Sequence, residues 1–178
     1  MTLDTLKDSI PDYARDLRLN LGTVLSTQGS PGLSEVQIWS VALATAIAAR
    51  NVEFARGFET LAREKLDSAH LNAARAAAAI MGMNNVYYRF LHLVEDREYQ
   101  TLPARLRMNV IANPGIPQDD FELLSLAVSA VNGCGLCITA HERKLREHGV
   151  SRETIQSAVR IASTLHAVAG TLEFERAA

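Results

Sequence analysis

Ile38-Trp39-Ser40-Val41-Ala42-Leu43 returns 85 residues later as Leu123-Leu124-Ser125-Leu126-Ala127-Val128. The same shift sets Ala73, Arg75, Ala77 and Ile80 on Ala158, Arg160, Ala162 and Leu165. One offset that joins two separate segments is stronger evidence of a repeat than either match alone. Chance likeness between alanine-rich helices is the competing reading. With duplication, the 178 residues form a single all-helical (all-α) domain of two pseudo-duplicated halves, roughly 30–92 and 115–177. The shift also sets Gln37 opposite Glu122, Ala49 opposite Cys134, Val52 opposite Cys137 and Arg56 opposite His141. Ordinary residues in the first half thus face chemically capable ones in the second.

Local signals are helical on both sides of these stretches. Pro11 suits a first helical turn and opens a helix to about Leu25. Gly and Pro mark a turn over Gln28–Gly32. Ser34 and Gln37 form a capping box for a helix to about Arg50. A third helix falls within Val52–Glu64, and Asp67 or Ser68 caps a fourth that runs towards Phe90. Its segment Ala73–Ala79 is six-sevenths alanine, the best helix former and small enough for close helix approach. Residues 95–120 read as irregular, with a short helix around Ala104–Ile111. Asp119 or Asp120 caps a fifth long helix ending near Asn132, and a sixth runs from about Cys134 to Gly149. Ser151 caps the last, whose apolar face is Ile155, Ala158, Val159, Ala162, Leu165, Ala169 and Leu172. No segment alternates with period two, so no strand is expected.

Composition excludes several functions. Hydrophobic residues are 48% and charged residues 21%, an ordinary globular balance. The 18 Lys and Arg against 20 Asp and Glu recommend neither nucleic acid nor an anionic membrane as partner. The uncharged run Leu123–His141 contains Asn132, Gly133, Gly135 and Thr139, so two helices with a break explain it better than a membrane span. The polar start MTLDTLKDSI has no export signal, which leads to the expectation of a cytoplasmic protein. Two cysteines are too few for a stapled secreted fold, and their C-x-x-C spacing points to redox or metal chemistry.

In a helix starting at Cys134, the positions Cys134, Cys137 and His141 share one face. The helix start, with unpaired N–H groups and the dipole, favours a thiolate at Cys134, whereas His141 favours one at Cys137. Both effects are of order 1 kcal/mol or more, so spacing does not choose the nucleophile. Glu122 stands twelve residues before Cys134, about 18 Å along a straight helix, and is a candidate base only if Asn132-Gly133 bends the chain sharply. A Cys2His zinc site completed by Glu122 or water is the rival use of Cys134, Cys137 and His141. Two buried, inert thiols are the bland use. His70, His92, His148 and His166 have no partner constellation, and Trp39 reads as core or interface. Met81-Gly82-Met83-Asn84-Asn85 reads as helix packing, with the Asn pair able to hold a subunit interface or the active-site bend.

Longer blocks add a resemblance. Ala79–Tyr88 (AIMGMNNVYY), Arg107–Pro117 (RMNVIANPGIP) and Phe121-Glu122-Leu123 running on to Cys134-x-x-Cys137-x-x-x-His141 resemble the alkyl hydroperoxide reductase D (AhpD) family, within the carboxymuconolactone decarboxylase-like superfamily. The likeness spans nearly the whole chain. It implies an all-helical homotrimer that reduces small organic hydroperoxides through its dithiol. It also implies a reductant of a peroxiredoxin of the alkyl hydroperoxide reductase C type. Dihydrolipoamide on a lipoylated 2-oxoacid dehydrogenase subunit would supply electrons, with no bound cofactor. By the same resemblance Cys137 attacks peroxide, Cys134 is its disulfide partner and proton donor, and Glu122 and His141 form a proton relay. Some members carry a histidine directly before the second cysteine; here Leu136 stands there. A helical assembly protein with a redox-sensing dithiol is the non-enzymatic alternative. A decarboxylase gives no reason for the dithiol.

Overall fold

The computed structural model describes residues 2–176; Met1 and the last two positions, including 177 at the end of the expected second unit, lie outside the described residues. Nine α-helices and no strand occur among the described residues. They are α1 Leu3–Asp8, α2 Arg15–Val24, α3 Glu35–Ala48, α4 Val52–Ala62, α5 Ser68–Leu93, α6 Asn109–Ala112, α7 Gln118–Val131, α8 Gly135–Glu147 and α9 Arg152–Arg176. Short 3-10 turns lie at Asp12–Ala14 and Arg97–Thr101. The fold is all-α, as the capping signals imply, and no helix is long and apolar enough to cross a membrane among the described residues.

Most helix starts follow from single side chains. Ser34 and Gln37 form the expected capping box, and Asp67 accepts from the His70 N–H. The Ser151 hydroxyl accepts from the Thr154 N–H. Several starts differ from expectation: α2 begins at Arg15, after the 3-10 turn Asp12–Ala14, rather than at Pro11, and the short helix expected around Ala104–Ile111 is Asn109–Ala112. The polar N-terminus forms α1, capped by Thr2 and Thr5. Asp119 and Asp120 do not cap α7; Pro117 holds the cap position without a side-chain bond, and both aspartates lie in the first turn, where the dipole favours them. Asp120 instead accepts a 2.6 Å hydrogen bond from Gln37 Nε2 on α3.

The core centres on α3 and α7. They pack on each other, and each packs on both α5 and α9. Each buries nine consecutive residues, Ile38–Ala46 in α3 and Phe121–Ser129 in α7. These blocks, and the limits of α3 and α7, are related by an offset of 83, not 85. The starts of α4 and α8 follow the same 83. The eight buried residues of α5, from Leu71 to Asn85, all fall on buried positions of α9 at an offset of 84, from Ile155 to Ala169. Packing is also conserved when the halves are exchanged: α3 on α5 matches α7 on α9, and α3 on α4 matches α7 on α8.

The expected register of 85 is therefore displaced by one to two residues, for a physical reason. A helix buried on every side has no polar face to phase the comparison. Runs of Ala, Leu, Val and Ser then match one another at several neighbouring offsets. The corrected register replaces the earlier pairings: Glu122 stands opposite Trp39, Cys134 opposite Asn51, Cys137 opposite Phe54 and His141 opposite Phe58.

Candidate active site

The two halves turn from their first helix into their second by the same three-residue link, 49–51 in one and 132–134 in the other. Its middle residue is left-handed in both, Arg50 at φ 65° and Gly133 at φ 67°. Glycine adopts that conformation at no steric cost, whereas arginine does not. The third residue caps the next helix. Asn51 accepts from the Phe54 N–H at 2.9 Å, and Cys134 Sγ accepts from the Cys137 N–H at 3.3 Å. Cys134 thus occupies an N-cap in which a sulfur replaces an amide oxygen, beside the unpaired N–H groups that stabilise negative charge.

Cys134 and Cys137 are joined as a disulfide with Cα atoms 5.3 Å apart. Cys134 is sealed from solvent, while Cys137 retains 7% exposure. The left-handed Gly133 folds α8 back along α7, which brings Glu122 to His141 despite their sequence separation. His141 Nδ1 lies 2.7 Å from Glu122 Oε2, and Lys144 Nζ lies 2.6 Å from Glu122 Oε1. Gln118 Nε2 adds a 3.3 Å bond to the same Oε1. Burial of Glu122 disfavours its charge, but the His141 and Lys144 hydrogen bonds and charges outweigh that, and its pKa is lowered to about 2. At neutral pH Glu122 is an anion that orients the His141 ring and does not itself take up a proton. With Nδ1 engaged, Nε2 is the ring nitrogen left for proton exchange.

A pocket of about 360 Å³ opens at this point, lined by Met81, Asn84, Tyr88, Met108, Ile111, Leu136, Cys137, Ala140 and His141. Its wall is mostly apolar, and His141 is its one imidazole. Behind the pocket α5 is tied to α7 and to the bend: Asn85 Nδ2 donates to Ser129 Oγ at 2.9 Å, and Asn132 Nδ2 donates to Asn85 Oδ1 at 3.0 Å. Arg89 Nη1 adds a 2.7 Å bond to the Asn132 carbonyl. Asn85 therefore braces the bend, one of the two uses foreseen for the Asn pair. The first half has a counterpart cavity of about 310 Å³, lined by Asn51, Glu53, Phe54, Leu172 and Arg176 with Thr5 and Leu6 of α1 and Ser9 just after it.

All four sequence-selected residues, Cys134, Cys137, His141 and Glu122, converge. Lys144 and Gln118 were missed. Lys144 lies three residues after His141 on α8 and Gln118 four before Glu122 on α7, so helical spacing carried a signal for both. His70 and His148 have partners that the sequence did not suggest, Asp67 and Asp119. Among the described residues no three His, Cys, Asp or Glu side chains are arranged so that they could hold a metal ion.

Known proteins share this arrangement of sequence. A profile of the carboxymuconolactone decarboxylase family matches residues 97–178, the half that carries the disulfide and Glu122. The alkyl hydroperoxide reductase AhpD of Rhodospirillum centenum is 56% identical over 178 residues, covering 99% of this chain and 94% of the relative. That of Frankia alni is 57% identical over 173 residues, covering 97% and 92%. That of Coxiella burnetii is 57% identical over 167 residues, covering 94% of each chain. Identity at this level over nearly the full length means that the chain belongs to the AhpD family, within the carboxymuconolactone decarboxylase superfamily.

Proposed function

We propose that the protein is a cytoplasmic alkyl hydroperoxide reductase whose Cys134–Cys137 pair cycles between dithiol and disulfide. The observation that carries this reading is a C-x-x-C pair at a helix N-terminus that opens, through Cys137, on an apolar pocket beside an anchored imidazole. Access also supports a choice that spacing left open. Cys137 lines the pocket and Cys134 does not, which favours Cys137 as the attacking thiol.

His141 Nε2 takes the Cys137 proton, and the thiolate attacks the terminal oxygen of the hydroperoxide. An S–O bond forms, the O–O bond breaks, and the alkyl-bearing oxygen leaves with the electron pair. That oxygen takes the Cys134 proton to become the alcohol. The Cys134 thiolate then attacks the sulfenic sulfur of Cys137, closing the disulfide, and the expelled hydroxide takes the proton from His141 to give water. Dihydrolipoamide reopens the disulfide by thiol exchange. A peroxiredoxin disulfide is reduced through a mixed disulfide by the same dithiol. No metal, flavin or haem enters these steps.

The two related helical units act as a single domain in this reading, with the chemistry confined to the second. Homotrimer formation is part of the proposal too. Val86, Phe90 and Leu93 leave an exposed apolar stripe on α5, suited to burial against another copy. Light scattering of the purified protein measures the mass. The decisive assay is hydroperoxide turnover with dihydrolipoamide. Activity should vanish in both Cys134→Ser and Cys137→Ser, and substantial turnover in both single variants would refute the cycle.

A further inference from the structure

Among the side chains that line the pocket, Asn84 is the one with a buried polar atom that has no partner. It is 96% buried, being only 4% exposed, and its Oδ1 is closed off without a partner. Among the described residues no hydrogen bond holds its Nδ2 either, whereas its neighbour Asn85 is bonded to Ser129 and Asn132. Buried amides without partners destabilise a fold and are rarely kept without a reason. Packing does not supply one here. In the other half the equivalent position on α9 is Val168, buried and apolar, so this scaffold accepts an aliphatic residue at that place. What distinguishes Asn84 is that it lines the pocket shared by Cys137 and His141.

We infer that Asn84 is a substrate-contacting residue, whose side-chain N–H donates a hydrogen bond to the alkyl-bearing oxygen of the bound hydroperoxide. This rests on the hydroperoxide-reductase reading of the same site. When the Cys137 thiolate takes the terminal oxygen, the electron pair of the O–O bond moves onto the alkyl-bearing oxygen. Charge develops there before the Cys134 proton arrives. A donor already fixed in a dry pocket stabilises that charge more than it stabilises the neutral peroxide. The apolar wall of Met81, Tyr88, Met108 and Ile111 then receives the alkyl group.

The test is Asn84→Val, which installs the residue of the other half. Two rates are measured: kcat/KM for tert-butyl hydroperoxide, and the rate at which dithiothreitol reduces the Cys134–Cys137 disulfide. Disulfide opening needs no donor to a leaving alkoxide. The peroxide rate should fall at least tenfold, the disulfide rate should stay within twofold of wild type, and the melting temperature should not drop. Equal loss of both rates, or no loss of either, overturns the inference. If Asn84→Val does not fold, Asn84→Ala carries the same comparison and the same outcomes. Wild-type protein without hydroperoxide turnover sinks the enzyme reading itself. Active wild type matched by the variant sinks only the role of Asn84.

Discussion

At equivalent places the two halves hold opposite kinds of matter. In the first, Trp39 stacks on Phe58 with ring centroids 5.5 Å apart, and Phe54 packs against Phe58 at 5.9 Å. In the second, Glu122 and His141 take the places of Trp39 and Phe58, and Cys137 that of Phe54. An aromatic stack is thus replaced by a carboxylate hydrogen-bonded to an imidazole, on the same helices and across the same bend. The counterpart cavity is treated differently as well. In the first half α1 lies over it with Leu6 buried, while in the second Met108 and Ile111 leave a pocket that reaches Cys137. Burying one large apolar side chain stabilises a fold by roughly 1.5–3 kcal/mol, whereas a buried polar pair gains little over apolar side chains of similar volume. The contrast places aromatic burial in the first half and, at the matching positions of the second, the groups to which the proposed function gives the chemistry.

Substitutions at matched positions can break that division. Cys137→Ser should reduce hydroperoxide turnover by roughly a thousandfold or more in a steady-state assay, the loss expected of a missing nucleophile. The unfolding free energy of a dithiol-reduced sample should hardly change. Phe58→Ala should instead cost about 3–5 kcal/mol in urea unfolding, as for a buried aromatic truncated in a core. Its counterpart His141→Ala should lower turnover by about 10²–10⁴ while costing less stability. If His141→Ala destabilised more than Phe58→Ala, the division would fail.

Acid titration sharpens the comparison further. The folded-state pKa of Glu122 is about 2 against an ordinary 4.5. Its stabilisation is therefore fully present above about pH 4.5 and lost as pH falls towards about 2. The difference corresponds to about 3 kcal/mol. Glu122→Gln should remove this part of the acid slope in urea unfolding curves measured from pH 5 to 2. An unchanged slope would show that Glu122 is not held as described. The smallest effect is at the cap. Asn51→Ala should cost about 2 kcal/mol, since Asn51 both caps α4 and donates to the buried Ala169 carbonyl at 3.0 Å, and it should leave turnover intact because Asn51 has no part in the dithiol.

Much of this was readable locally. Ser34 with Gln37 and Asp67 mark helix starts because capping involves residues three apart in one chain segment. Cys134, Cys137 and His141 share a helix face for the same reason. Glu122 was readable only conditionally, because its contact with His141 depends on the turn at Gly133. The register of the repeat differs by two residues from the sequence match where α3 and α7 are buried all round, and with it the counterparts of the candidate site residues. Lys144 was passed over because a lysine on an exposed helix looks like any other until the acid it faces is known.

Sequence by itself determined most of the helices, several of their caps and the C-x-x-C pair with His141 on one helix face, since these depend on spacings of three and four residues and on the chemistry of single side chains. Only the tertiary structure decided that Glu122 is an ionised anchor for His141, that Cys137 and not Cys134 faces a pocket, and that Asn84 stands there without a partner. Those properties come from burial and from contacts between helices distant in the chain. Nothing in the local spacing of residues encodes them.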